Sequence, residues 1–198
     1  MRNKPCDNVR YPIDERKGPL KGIIFNAAEE VVTELYGADV WDSLLKAART
    51  EGSYTRLGNY EDAEIVRIVA AAASLLELGI DDTWRFLGRH MAPKLVALSE
   101  TVASSFDGAE QFVRSVNNII HHNVKVLYPD AQLPVFEFTD TPAGLQVRYQ
   151  SDRGLNALAE GLIIGAGDLF GELVQLNKLE RSTPTDSYYL VAFSGRHD

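Results

Sequence analysis

The stretch PVFEFTDTPAGLQVRYQS, from Pro134 to Ser151, is where the period of the chain changes. Upstream of it, apolar residues recur at helical spacing. Within it they alternate: Phe136 and Phe138 against Val135 and Glu137, then Leu145, Val147 and Tyr149. A period of two is that of a half-buried strand, and DTPAG between the arms is turn chemistry, so the stretch predicts a β-hairpin. Downstream, GLNALAEGLIIGAGDLFGEL returns to helical spacing. LVQLNKLER and DSYYLVAFS then read as a second hairpin across STPTD. The C-terminal third is therefore ββαββ.

Working upstream, the helix before the switch runs from Gly108 to Leu127, with Asp107 and Glu110 as a D-x-x-E start and Tyr128-Pro129 as its stop. IDDTWRFLGRHM starts at an Asp cap and is expected to kink or break at Pro93. AEIVRIVAAAASLLELG follows a capping pair, Asn59 and Asp62, and closes at Gly79. EGSYTRLGNY is a loop, ADVWDSLLKAA a short helix, and GIIFNAAEEVVTELYG a helix stopped by Gly37. Residues 1–20 carry no period and are rich in charge, Pro and Asn, which marks a tail. The whole is an α+β domain over residues 21–198. A helical lobe of about 21–130 packs on an antiparallel sheet with one helix, about 131–198.

At 198 residues and 45% hydrophobic, the chain can bury one good core. Its net charge of −8 leaves no basic stripe for nucleic acid. Cys6 is the sole cysteine, so an internal disulfide and a Cys-based zinc site are excluded. The N-terminal residues are charged throughout, unlike a secretory leader. The longest apolar run, Ile68 to Leu76, is too short to span a bilayer. A soluble, cytoplasmic protein with no membrane partner is expected.

Two stretches carry candidate chemistry. The first, NNIIHHNVKVLYP, contains His121 and His122, two of the four histidines. An α-helix turns about 100° per residue. Val113, Val116, Ile120, Val124 and Leu127 then form one apolar stripe. His121 falls at its edge, beside Asn117 and Tyr128, and His122 on the opposite face. His121 can look into a cavity as a ligand or serve as an ordinary boundary histidine. Adjacent helical neighbours do not share one ion, which disfavours a His-His zinc site.

The second is YQSDRG, in which Tyr149, Ser151 and Arg153 keep strand spacing. Two hydroxyls and a guanidinium suit an anion, since Arg forks a carboxylate. The plain alternative is an edge-strand arginine in water with Ser151 capping the next helix. LIIGAGDLFGE imitates a dinucleotide loop but has Phe170 where the fingerprint needs glycine, and its upstream residues are helical rather than strand. Its small residues suit close packing against a sheet or a flat ligand. No Ser-His-Asp order, H-E-x-x-H or paired-carboxylate motif stands out, and no catalytic residue is assigned.

Taken in order, KGIIFN at Lys21–Asn26, H-x6-Y from His121 to Tyr128 with Leu133-Pro134 after it, and Y-x-S-x-R at Tyr149, Ser151 and Arg153 resemble the H-NOX domains. That family of heme nitric oxide/oxygen-binding domains includes the heme domain of soluble guanylate cyclase. The resemblance implies heme b (protoporphyrin IX iron) between the lobes, with His121 as axial iron ligand. Tyr149, Ser151 and Arg153 would hold the propionates, Pro134 would press on and distort the porphyrin, and Ile24 would pack on it. Oxygen-binding members carry a tyrosine five residues after the motif's arginine. Leu158 stands there, so the resemblance implies binding of NO and CO without stable O₂ binding. It further implies a sensor without catalysis of its own. NO at ferrous iron would loosen the bond to His121, the porphyrin would relax against Pro134, and the lobes would shift. The signal would pass to a histidine kinase or a cyclic-di-nucleotide enzyme. The Cys/His zinc site of some members is missing from KLERSTPTDSYYLV. A module of similar architecture that takes a small carboxylate without heme is the alternative.

Overall fold

The computed structural model of the chain describes residues 19–97 and 104–195. The first eighteen residues of the expected tail lie outside the described part. Pro19 and Leu20 do not behave as tail. Leu20–Lys21 form strand β1, which pairs antiparallel with β2, Asn59–Tyr60. The pairing takes Asn59 out of the cap role expected for it. The following helix begins at Asp62, with Glu61 at its N-cap.

Four helices follow β1 in the first half: α1, Gly22–Tyr36; α2, Ala38–Ala48; α3, Asp62–Leu76; and α4, Ile80–Ala97. Gly37 stops α1 at φ 92°, a conformation glycine adopts without strain. The expected break at Pro93 does not occur; α4 runs through it. Phe25, Val31, Ile65, Val69, Trp84 and Met91 are buried together with Leu155, Ala157 and Leu158 from the C-terminal third. Among the described residues no helix is long and apolar enough to cross a membrane.

The helix expected from Gly108 to Leu127 is three pieces. α5 is Ala109–Arg114, a π-helical turn covers Val116–Ile120, and α6 is His121–Leu127. Gly108 is the N-cap of α5 without a side-chain cap bond, so the D-x-x-E start is not used. The stripe is accordingly uneven. Val113 is buried, Val116, Ile120 and Val124 are half-buried, and Leu127 is 68% exposed.

The C-terminal third is ββαββ as read. β3, Val135–Thr141, and β4, Gly144–Gln150, form the first hairpin. Helix α7, Asn156–Phe170, precedes β5, Leu173–Lys178, and β6, Asp186–Ser194. The sheet order is β3-β4-β6-β5, all antiparallel. Leu145, Val147 and Tyr149 face inward with Tyr189 and Val191, so the period of two pays off as a buried face.

Helix α7 packs closely against α4, and glycines make this possible. A Cβ on Gly161 would stand 2.1 Å from the Arg85 carbonyl oxygen, and one on Gly88 2.4 Å from that of Leu158. One on Gly165 would stand 2.3 Å from the Arg89 carbonyl oxygen. Only Gly167 meets the sheet, at Val174. Ion pairs flank the seam. Arg85 gives Glu160 two hydrogen bonds, at 2.9 and 2.7 Å, and Arg89 forks Asp168 at 2.6 and 2.8 Å.

Candidate functional site

His121 begins α6 and closes the π-helical turn, its backbone N–H bonding to the Val116 carbonyl. Its ring lies 5.9 Å from that of Phe136, which in turn meets Tyr149 edge-on at 5.2 Å. The imidazole also hydrogen-bonds the Pro134 carbonyl. Burial outweighs that bond and pushes its pKa down to about 4. At neutral pH the ring is therefore neutral. With one nitrogen donating to a carbonyl, the tautomer is fixed and the other nitrogen keeps its lone pair. His122 is exposed, as the helical geometry predicts.

Tyr149 is 4% exposed at the end of β4. Burial raises its pKa, so the hydroxyl stays protonated, and it hydrogen-bonds Ser151. Ser151 Oγ accepts the Arg153 N–H at 3.3 Å and caps no helix, since Leu155 is the N-cap of α7. Arg153 is not an edge-strand arginine in water. Its side chain is 9% exposed and its guanidinium pairs with Asp62 at the start of α3 and with the Pro19 carbonyl. The set is therefore hydroxyl, hydroxyl, guanidinium and one carboxylate, and it joins the helical lobe to the turn after β4. Sequence reading missed Asp62 because it had placed it in a helix cap.

Ile24 and Leu158 share a buried apolar cluster with Phe25, Leu87, Met91 and Leu155. Leu158 is 7% exposed. Of three other candidate donors, Tyr36 is 44% exposed at the end of α1, and His90 bonds the Phe86 carbonyl through Nδ1 at 2.9 Å. Trp84 is different. It is 1% exposed in the Leu158 cluster, and its Nε1–H meets no acceptor among the described residues.

Three more residues went unread as a group. Lys21 bonds Asn59 at 2.6 Å and both oxygens of Asp130, at 2.8 and 3.0 Å. Asn117 reaches the backbone of Phe136. The only sequence signal for Asn117 was its place on the His121 side of the helix.

The residues present suit heme: a neutral imidazole with a fixed tautomer, an apolar surround, and protonated hydroxyls beside a guanidinium for carboxylates.

Comparison with known proteins agrees. The haem-NO-binding family matches residues 21–178. An H-NOX protein of Shewanella oneidensis in the Fe(II)NO ligation state superposes with a TM-score of 0.80 at 28% identity, over 89% of this chain and 100% of that one. An Fe(II)CO H-NOX domain from Shewanella oneidensis gives 0.77 at 27%, over 88% and 99%. The unliganded Fe(II) H-NOX protein from K. algicida gives 0.77 at 22%, over 89% and 98%, a likeness of fold. The chain is a member of the haem-NO-binding, or H-NOX, family of heme-dependent gas sensors.

Proposed function

We propose that residues 21–198 form one heme-binding domain that senses NO, also takes CO, and reports to a separate signalling protein. The carrying observation is the His121 imidazole, half-buried, neutral and tethered to the Pro134 carbonyl. His121 would be the axial ligand to heme iron. Tyr149, Ser151 and Arg153 would receive the propionates, with Arg153 sharing its guanidinium between them and Asp62. Pro134 and Ile24 would border the macrocycle. When bound, heme supplies a ferrous iron on which diatomic gases compete with the protein's own ligand.

Leu158 offers no hydrogen bond, so a polar oxygen complex finds no support at that position and NO or CO is favoured. His121 then senses ligation through the strength of its own bond. Because its carbonyl partner is Pro134, a shift of the ring is felt at the start of β3. A histidine kinase or a cyclic-di-nucleotide enzyme in the cytoplasm is the proposed recipient. No catalytic step is assigned to this chain.

Electronic spectra of the ferrous protein alone and with NO, CO and O₂ test the reading. Wild type should form NO and CO complexes and no lasting complex in air. His121→Ala should lose the histidine-ligated ferrous spectrum, and His122→Ala should keep it. The opposite outcome for the two histidines would move the ligand. A lasting oxygen complex that vanishes in Trp84→Phe would assign the donor to Trp84 and overturn selectivity for NO.

A further inference from the structure

Helix α6 carries His121 yet buries none of its own residues. Its position is set from its two ends, which are held by different parts of the molecule. At the C-terminal end, Tyr128 is buried and its hydroxyl donates to the Arg56 carbonyl at 3.4 Å. Asp130 holds the Lys21 ammonium. Both contacts reach the first half of the chain.

At the N-terminal end, beyond the His121 contact with the Pro134 carbonyl, the anchor is one side chain. Asn117 Nδ2 donates to the Phe136 carbonyl at 2.5 Å, and its Oδ1 accepts the Phe136 N–H at 3.2 Å. β3 is an edge strand, so the outward amide and carbonyl of Phe136 have no neighbouring strand. Asn117 supplies both partners, as a strand would. Between this clasp and the histidine lies only the π-helical turn, closed by the His121 N–H itself. Such turns are wider and less regular than an α-helix and recur at functional sites. Asn117 and His121 are four residues apart and share a face. Both touch Phe136, one at its backbone and one at its ring.

We propose that Asn117 is the positioning residue for the iron ligand: by clasping β3 it fixes the π-helical turn and so limits how far the His121 imidazole moves. This deepens the proposed function and rests on His121 as the ligand. With the clasp intact, a pull on the imidazole is passed to β3. With it cut, the turn absorbs most of the pull, and only the Pro134 contact still links the ring to β3.

The test uses the full ferrous protein with heme bound, as wild type, Asn117→Ala, Asn117→Asp and the exposed control Asn118→Ala. Asn117→Asp keeps the acceptor for the Phe136 N–H and sets a carboxylate against the carbonyl, so it retains half the clasp. Two readouts report on the histidine: the iron–histidine stretching band in resonance Raman, and the rate at which NO addition releases His121. Asn117→Ala should shift and broaden the band and speed release about five- to tenfold, the equivalent of one or two backbone hydrogen bonds. Asn117→Asp should fall between, and Asn118→Ala should match wild type. The proposal is overturned if the Phe136 amide loses its exchange protection in Asn117→Ala while band and rate stay as in wild type. If Asn117→Ala does not hold heme, Asn117→Asp answers the same question by the same two readouts. Retention of the wild-type ferrous spectrum by His121→Ala would instead remove the ligand assignment beneath it, an outcome neither Asn117 variant can imitate.

Discussion

Helices α6 and α7 both carry residues of the candidate site, and they are held in opposite ways. α7 buries ten of its fifteen residues, meets α4 backbone to backbone at three glycines, and is flanked by two arginine–carboxylate pairs. α6 buries none of its seven residues and is held only near its ends. Burial of apolar surface is what makes an element costly to open, so the two differ in local stability. The difference suits their tasks. α7 sets Leu158 at a fixed position in the apolar cluster with Trp84 and Leu87. α6 brings the proposed ligand on a segment that can move without unpacking the core.

Hydrogen exchange is the most direct way to break this comparison. Openings range from near zero to the global stability. Amides of Ile163–Ala166 should therefore be protected on the order of a thousandfold more than those of Val124–Leu127. Equal protection would mean that α6 is no looser than the scaffold. Next in size is Gly161→Leu. Its side chain must enter the Arg85 carbonyl, so the seam cannot close, and the variant should lack a cooperative thermal transition. Arg85→Ala should destabilise by about 3 kcal/mol in urea titration. It leaves the carboxylate of Glu160, 3% exposed, with Lys178 at 3.9 Å as its remaining ion-pair contact. On α6, Leu127→Gln should change stability by less than about 0.5 kcal/mol, because the side chain is already in water.

The smallest effect is a pH dependence. The Lys21 ammonium holds the Asp130 carboxyl below the usual carboxylate range. A depressed folded pKa gives a tether that is present above the unfolded value and lost as pH falls through the folded one. Exchange at the C-terminal end of α6 should rise below about pH 4. Lys21→Met should show the same loosening already at pH 6. If that variant leaves exchange there unchanged, the Lys21–Asp130 pair is not a tether.

Much of the fold was legible because it depends on period. The β3–β4 hairpin, the α7 spacing and the Gly37 stop each follow from local rules that nothing distant overrides. The ββαββ order follows from them. What escaped was decided by partners remote in sequence. Pro93 was expected to kink or break α4, but the helix continues past it to Ala97. The small residues of LIIGAGDLFGE announced close packing without naming the partner, which is a helix 75 residues upstream along the Arg85–Glu160 pair. At the site, His121 could be told from His122 by angle alone. Asp62 could not be assigned to Arg153, since an acidic residue at a helix start is usually read as a cap. Nor could the π-helical turn be foreseen, because the strand residue that Asn117 bonds there, Phe136, lies nineteen residues further along the chain.

The glycine seam also has a consequence for how the chain folds. The face of α4 that carries Gly88 is completed by α7, so the first half cannot finish its core from its own residues. The contact closes a long loop, and closing such a loop comes late and slowly. Until α7 arrives, Trp84, Leu87 and Met91 have no cover from Leu155 and Leu158. The order of events on synthesis is therefore set from the C-terminal side: helices form early as separate pieces, and the interior on which Leu158 sits is assembled only after the last third of the chain is made.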